Sequence, residues 1–150
     1  MRQKALLHLL EKTEKQKITN RDKFVIFSDL HLGNGTRRDD FKKNASLFRD
    51  VLKQHYLAHD YTLILNGDVE ELQKFSLKKI IQKWRSVYNI FVEFEQAGRL
   101  HKIVGNHDYA LTTTRDNPCK TKLKDALHFT YKSNSIFIFH GHQASNTIEK

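Results

Sequence analysis

The chain has 150 residues, 39% hydrophobic and 11% aromatic, with a formal net charge of +9. That length suits one domain with a respectable core, and the aromatic content excludes a disordered chain. No run approaches the ~20 apolar residues that cross a bilayer, and the short stretch from Ala5 to Leu10, interrupted by His8, lacks the features of a signal peptide. A cytoplasmic protein is expected, with peripheral attachment to the inner membrane as the alternative. Lys and Arg number 26 against 17 Asp and Glu, which favours an anionic partner. By halves, residues 1–75 hold 14 basic and 11 acidic groups, and residues 76–150 hold 12 and 6, so the excess reads as spread. A lone Cys119 excludes an internal disulfide and fits a reducing compartment.

In chain order, residues 1–22 read as a charged, partly helical lead-in, with Leu6, Leu7, Leu9 and Leu10 near one face. Residues 23–150 read as the domain proper. Four β-type runs follow, Lys23–Ser28, Thr62–Asn66, His101–Val104 and Ser135–Phe139, each rich enough in Val, Ile, Leu or Phe to be buried on both faces. Helical patterns over Phe41–His59 and Leu77–Ala97 lie between them, the second stopped by Gly98. Thr112–Pro118 is a polar loop, Lys120–His128 a short helix, and Lys132–Ser135 a turn between two strands. Alternating strands and helices predict a layered α/β fold.

What sits behind each strand is more informative. The four runs end in Asp29-Leu30-His31, Gly67-Asp68-Val69-Glu70, Gly105-Asn106-His107-Asp108 and His140-Gly141-His142. Ligand sites in open α/β sheets lie beyond the carboxyl ends of the strands, so this order gathers carboxylates, imidazoles and an amide at one edge. Oxygen donors mixed with imidazole suit Mn²⁺, Fe or Zn²⁺ better than a thiolate-loving metal. Each fragment alone has an ordinary reading as a turn or a cap. All four together, each behind a strand, do not.

The order D-x-H, G-D-x-x-E, G-N-H-D, H-G-H resembles the calcineurin-like metallophosphoesterase superfamily. Ser28-Asp29-Leu30-His31-Leu32-Gly33 and Asn66-Gly67-Asp68-Val69-Glu70-Glu71 look most like its bacterial branch containing UDP-2,3-diacylglucosamine hydrolase. The resemblance runs from about Phe24 to Ala144. It implies a two-sheet α/β sandwich with a dinuclear centre at the strand-end edge. Asp29 and His31 would hold the first metal, Asp68 would bridge, and Asn106 and His140 would hold the second. His107 would lie beside the phosphate, with Asp108 orienting its ring. Two divalent ions are implied, Mn²⁺ first, with Fe, Zn²⁺ or Ni²⁺ as alternatives. Such a pair, ~3.5–4 Å apart, clamps an in-line displacement at phosphorus and ionises a bridging water. A bridge between cations wants a carboxylate, whereas Asn106 would ligate without adding charge.

The family's fifth motif, Gly-His-x-His, does not occur: Gly141-His142-Gln143-Ala144 has alanine where the second histidine belongs. The expectation is therefore an N-terminal part of the family's fold, or a truncated product, with weak binding of the second metal and slow turnover. His142 is a candidate substitute ligand, with a supporting or solvent-facing role as the alternative. Arg37 and Arg38 either grip substrate phosphate or belong to an ordinary loop capped by Asp39 or Asp40. Glu70 and Glu71 either support the ligands or mark a helix start. Trp84, Tyr88, Phe91 and Phe94 recur at helical spacing and read as core; His8, His55, His59, His101 and His128 have no motif around them. The activity expected is metal-dependent hydrolysis of a phosphoester or pyrophosphate bond in a phosphorylated small molecule or nucleotide-linked substrate. The alternatives are a nuclease or nucleotide phosphodiesterase, which the basic charge suits, and a catalytically weakened scaffold.

Overall fold

The computed structural model describes residues 2–114 and 116–144, apart from the side chains of Arg2 and Gln3. It begins with helix α1 (Arg2–Lys12) and strand β1 (Lys15–Lys17), followed by β2 (Phe24–Phe27). After a 3₁₀ turn come α2 (Ala45–Val51), a π-helical turn (Leu52–Leu57) and β3 (Thr62–Asn66). Helices α3 (Leu77–Lys83) and α4 (Arg85–Gln96) lead to β4 (Leu100–Ile103). The short β5 (Leu123–Lys124), β6 (Ala126–Tyr131) and β7 (Asn134–Phe139) complete the strands.

Two sheets result. Strands β2-β3-β4-β5 form a parallel sheet in that order, and β1-β6-β7 form a second, with β6 and β7 antiparallel. This is the mixed α/β sandwich that the strand–helix alternation predicts. Alternation along β3 explains the layering. Leu63 and Leu65 face the helices, joining Phe91 and Phe94 of α4, while Ile64 faces the second sheet and packs with Ile103, Leu127 and Phe129. Buried on both faces, the centre of β3, Leu63 to Leu65, must be apolar.

The first 22 residues are more than a lead-in, because β1 pairs in parallel with β6 and forms an edge of the second sheet. The segment 120–128 is not a helix but β5 and the start of β6: Leu127 and Phe129 alternate inward, so period two overrides the expected helix. Each long helical pattern is also broken. The π turn carries Tyr56 to the ring of Phe27, and α3 and α4 part at Trp84, whose indole NH donates to Asp39. Gly98 (φ 68°) ends α4 as expected, and the Arg99 amide closes the cap on the Phe94 carbonyl. Trp84, Tyr88, Phe91 and Phe94 are all buried, as their spacing predicts. Cys119 is buried and free, and burial pushes its thiol up to about 12, so it stays unreactive. Among the described residues no helix is long and apolar enough to cross a membrane.

Candidate metal centre

The loops after β2, β3 and β4 are laced together by backbone hydrogen bonds. The amides of Asp29, His31 and Leu32 donate to the carbonyls of Gly67, Asp68 and Val69, and the Leu72 amide donates to His107. This lacing holds Asp29 (φ 57°), His31 (φ 48°) and Asp68 (φ 52°) in the left-handed region. Non-glycine residues there are strained, and three at one strand edge mark a place where side-chain direction outweighs local stability. Gly105 is needed for closeness: a Cβ there would collide with the Asp68 carboxylate.

Three imidazoles converge on that carboxylate. His140 Nε2 lies 3.2 Å from Asp68 Oδ2, and His31 Nε2 and His107 Nε2 each lie 4.0 Å from it. Their Nδ1 atoms are all engaged elsewhere. His140 Nδ1 faces the Asn66 carbonyl at 2.9 Å, while His31 Nδ1 and His107 Nδ1 face the two oxygens of Glu71 at 3.1 and 2.8 Å. An imidazole whose Nδ1–H is held by an acceptor offers Nε2 to a metal. Two groups able to hold an ion result, Asp29 with Asp68 and His140, and His31 with Asp68 and His107, sharing Asp68. The donor set of carboxylates and imidazoles fits divalent ions of the Mn²⁺, Fe or Zn²⁺ kind.

The electrostatics agree with this arrangement. Burial opposes ionisation of Asp68, yet hydrogen bonds from His140 and the His107 amide hold it below the usual carboxylate range. The hydrogen bond to Asp68 carries His140 up to about 9 against the opposing effect of burial. That raised value supports the metal-free fold fully below about pH 6.5 and is lost as pH rises through about 9. An ion binding at His140 Nε2 must displace the proton. Calorimetry at about pH 7.5 in buffers of different ionisation enthalpy should therefore show roughly one proton released with Mn²⁺, and affinity rising with pH toward 9. A pH-independent affinity between 7 and 9 would remove His140 from the ligand set.

Several sequence expectations are redistributed. His31 groups with His107 across Asp68, whereas Asp29 groups with His140. Asp108 does not orient His107. Its oxygens accept from the amides of Gly105 and Val69 at 2.7 and 2.8 Å, which makes it the clamp of the turn. Burial, then the nearby Glu70, push that carboxyl up to about 6. The ring carboxylate is Glu71, which the sequence offers only as one of two acids behind the second motif. Although burial opposes it, hydrogen bonding to His107 and Lys74 holds Glu71 below the usual range. Asn106 lies on the exposed rim of the turn, with no side-chain hydrogen bond among the described residues. The His142 ring stands 5.5 Å from that of His140 and belongs to neither group. Glu70 faces away from the centre, paired with Lys102 under the turn. Arg37 and Arg38 are exposed on the loop beyond His31.

Glu71→Gln keeps the size but can no longer accept from two Nδ1–H groups through two oxygens. Metal affinity should fall about 10–100-fold. Long-range ¹⁵N spectra should show His31 and His107 losing their common tautomer, and unchanged spectra would deny Glu71 this role.

An α/β sandwich whose strand ends gather a carboxylate shared between two imidazole-bearing groups is a scaffold for metal-assisted chemistry on an anionic substrate. The family model of the calcineurin-like phosphoesterase matches residues 22–149, and the chain belongs to that family. Its fold class and its kind of activity, metal-dependent phosphoester hydrolysis, follow from that membership. No curated protein and no solved structure matches the chain.

Proposed function

We propose that the chain hydrolyses a phosphoester or pyrophosphate bond with two divalent ions, Mn²⁺ first among them, in the manner of a dinuclear phosphoesterase. The observation that carries this reading is the sharing of Asp68 by two ligand-competent groups. Asp29, His31, Asp68 and His140 would hold the ions, with Asn106 available from the rim. When bound, the ions supply charge neutralisation at the phosphoryl oxygens and an activated water.

The chain's own residues do the rest. Asp68 sets the spacing of the two groups, and its buried position keeps competing water away. His107, steadied through Nδ1 by Glu71, serves as the proton donor and not as a third donor to the ion: when protonated on both nitrogens it gives the Nε2 proton to the leaving oxygen. Glu71 fixes the His31 tautomer with its other oxygen, so one carboxylate steadies a ligand and a proton donor together. The strained Asp29, His31 and Asp68 are positioned before any ligand arrives, which lowers the cost of ordering them.

A rival for the substrate is a nucleotide-linked pyrophosphate, as in the UDP-2,3-diacylglucosamine hydrolase branch, supported only by the wording of the first two motifs. The test is hydrolysis of bis(p-nitrophenyl) phosphate by the chain with Mn²⁺. Release of p-nitrophenolate that EDTA abolishes and Mn²⁺ restores supports the reading; no metal-dependent release at any Mn²⁺ concentration sinks it.

A further inference from the structure

The basic excess, spread when counted by halves, is concentrated in the folded chain. The loop 33–43 begins directly after His31-Leu32 and packs onto the segment 74–85. Asp39 Oδ2 accepts from the Gly35 amide at 2.6 Å and from the Trp84 indole at 3.0 Å, and the Phe41 and Trp84 rings meet at 5.0 Å. A Cβ on Gly33 would strike Asp39 and Phe75, each at 2.8 Å, so the contact is close. The loop contributes Arg37, Arg38, Lys42 and Lys43, all exposed. The facing segment contributes Lys74, Lys78, Lys79, Lys83 and Arg85, also exposed. Nine cations stand against two aspartates, Asp39 and Asp40, a net of +7 from 23 residues. The other 127 residues hold 17 basic and 15 acidic groups and are nearly neutral.

This ledge adjoins the candidate centre. Lys74 Nζ lies 3.1 Å from Glu71 Oε2, the oxygen that also faces His31. A cleft of about 600 Å³ opens along α3, between Leu77, Lys78, Ile81 and Arg85 on one side and Thr114 and Asp116 on the other. Tyr109, two residues beyond His107, is 60% exposed at the head of the segment leading to Thr114. An exposed aromatic ring on the segment that leads into the cleft, together with a cationic track, is the combination that single strands use, bases stacking while phosphates follow the charge. A single small phosphate would need two or three of these cations, not nine. Lys74 is already held by Glu71, but an extended polyanion can engage many of the other eight, because each phosphate neutralised releases counterions.

We propose that this ledge binds the phosphate backbone of a single-stranded nucleic acid, with Tyr109 as a stacking platform, so that a phosphodiester of that strand is the substrate. The proposal rests on the hydrolytic reading above and names its substrate class. In the cleavage, water's oxygen forms the new bond to phosphorus and the bond from phosphorus to one sugar oxygen breaks. That sugar oxygen takes a proton, leaving a phosphomonoester on one fragment and a hydroxyl on the other.

The test is fluorescence anisotropy of a labelled oligothymidylate in EDTA, between about 50 and 200 mM NaCl. Binding by the unaltered chain should fall steeply with salt. Lys78→Glu/Lys79→Glu/Lys83→Glu should weaken it at least tenfold and flatten the log–log salt slope by about 2, at roughly 0.7 per single-strand phosphate contact. Lys15→Glu/Lys17→Glu on β1 is the control for charge alone and should have little effect. Tyr109→Ala should weaken binding about tenfold, while Tyr109→Phe retains it. Equal losses from the α3 and β1 variants would overturn the ledge, and indifference to Tyr109→Ala would overturn the single-strand assignment. Tighter binding to phosphatidylserine vesicles than to the oligonucleotide would overturn both. Because binding is read without metal, the two proposals fail separately. Mn²⁺-dependent cleavage of bis(p-nitrophenyl) phosphate without α3-dependent oligonucleotide binding sinks this inference alone. Ledge-dependent binding with no phosphodiester cleaved at all sinks the hydrolytic reading and leaves the ledge as a binding surface.

Discussion

Asp68→Asn is expected to reduce metal-dependent hydrolysis on the order of 10³-fold or more, the largest effect of any single substitution in this chain. The reason is geometric before it is chemical. Both ligand-competent groups include Asp68, so losing its charge weakens both positions at once. Asparagine keeps the shape and one oxygen, but it cannot offset the repulsion between two cations. Asp29→Asn should behave differently, because Asp29 enters only one group. Titration of each variant with Mn²⁺ would show two binding events lost for Asp68→Asn and one lost for Asp29→Asn. Loss of a single event with Asp68→Asn would mean that the carboxylate serves one ion, and the shared-ligand arrangement would be wrong. Gly105→Ala should imitate Asp68→Asn in part, since its methyl group would collide with the Asp68 carboxylate.

The residues of this centre were legible because the chemistry fixes residue type and the fold fixes location. Asp29, His31, Asp68, His107 and His140 all stand behind strands that the sequence marks by apolar runs, and the structure brings all five together. Their division into two groups was not legible, since pairing across loops depends on backbone hydrogen bonds that no spacing reveals. Asp108 and Glu71 show the limit well. Both are acids near His107 in space, but only Asp108 is its neighbour in sequence, so local reasoning points to Asp108. The turn from Gly105 to Asp108 folds back so tightly that the Asp108 carboxylate meets amides, leaving the ring to Glu71 from another loop. The β5–β6 segment is hard to read for a similar reason. Its period-two alternation is short and interrupted by charged residues, so local pattern does not separate strand from helix; packing of Leu127 and Phe129 in the second sheet decides it.

Lys102 is the residue whose importance the sequence least advertises, and Lys102→Met should carry the largest cost in stability. It is a lysine only 2% exposed on the helix-facing side of β4, and Glu70, its partner, is fully buried. Lys102 Nζ donates to both Glu70 oxygens at 2.6 and 2.8 Å, and the Tyr88 hydroxyl donates to Oε1 at 2.7 Å. Removing the ammonium leaves Glu70 as an uncompensated charge in the core, a loss of about 3–5 kcal/mol. For a chain of this size, at about 2–4 °C per kcal/mol, the melting temperature should fall by roughly 6–20 °C. The loss should also shrink as pH falls. Asp108, held near 6 by burial and by Glu70, is pulled down by Lys102, so without that charge its carboxyl moves higher still. A carboxyl whose folded value is raised favours the fold when protonated, so the deficit is full above the variant's higher Asp108 value and narrows as pH falls from there to about 6. Lys102→Met/Glu70→Leu/Tyr88→Phe, which replaces every partner by an apolar group of similar volume, should recover most of the stability. Metal affinity need not return with it. Glu70 lies between Asp68 and Glu71 in the chain, and the ion pair anchors their turn to β4 from beneath. A triple variant that melts like the unaltered chain yet binds Mn²⁺ several-fold more weakly would show that the pair serves the centre's geometry. Full recovery of both would make it a purely structural pair.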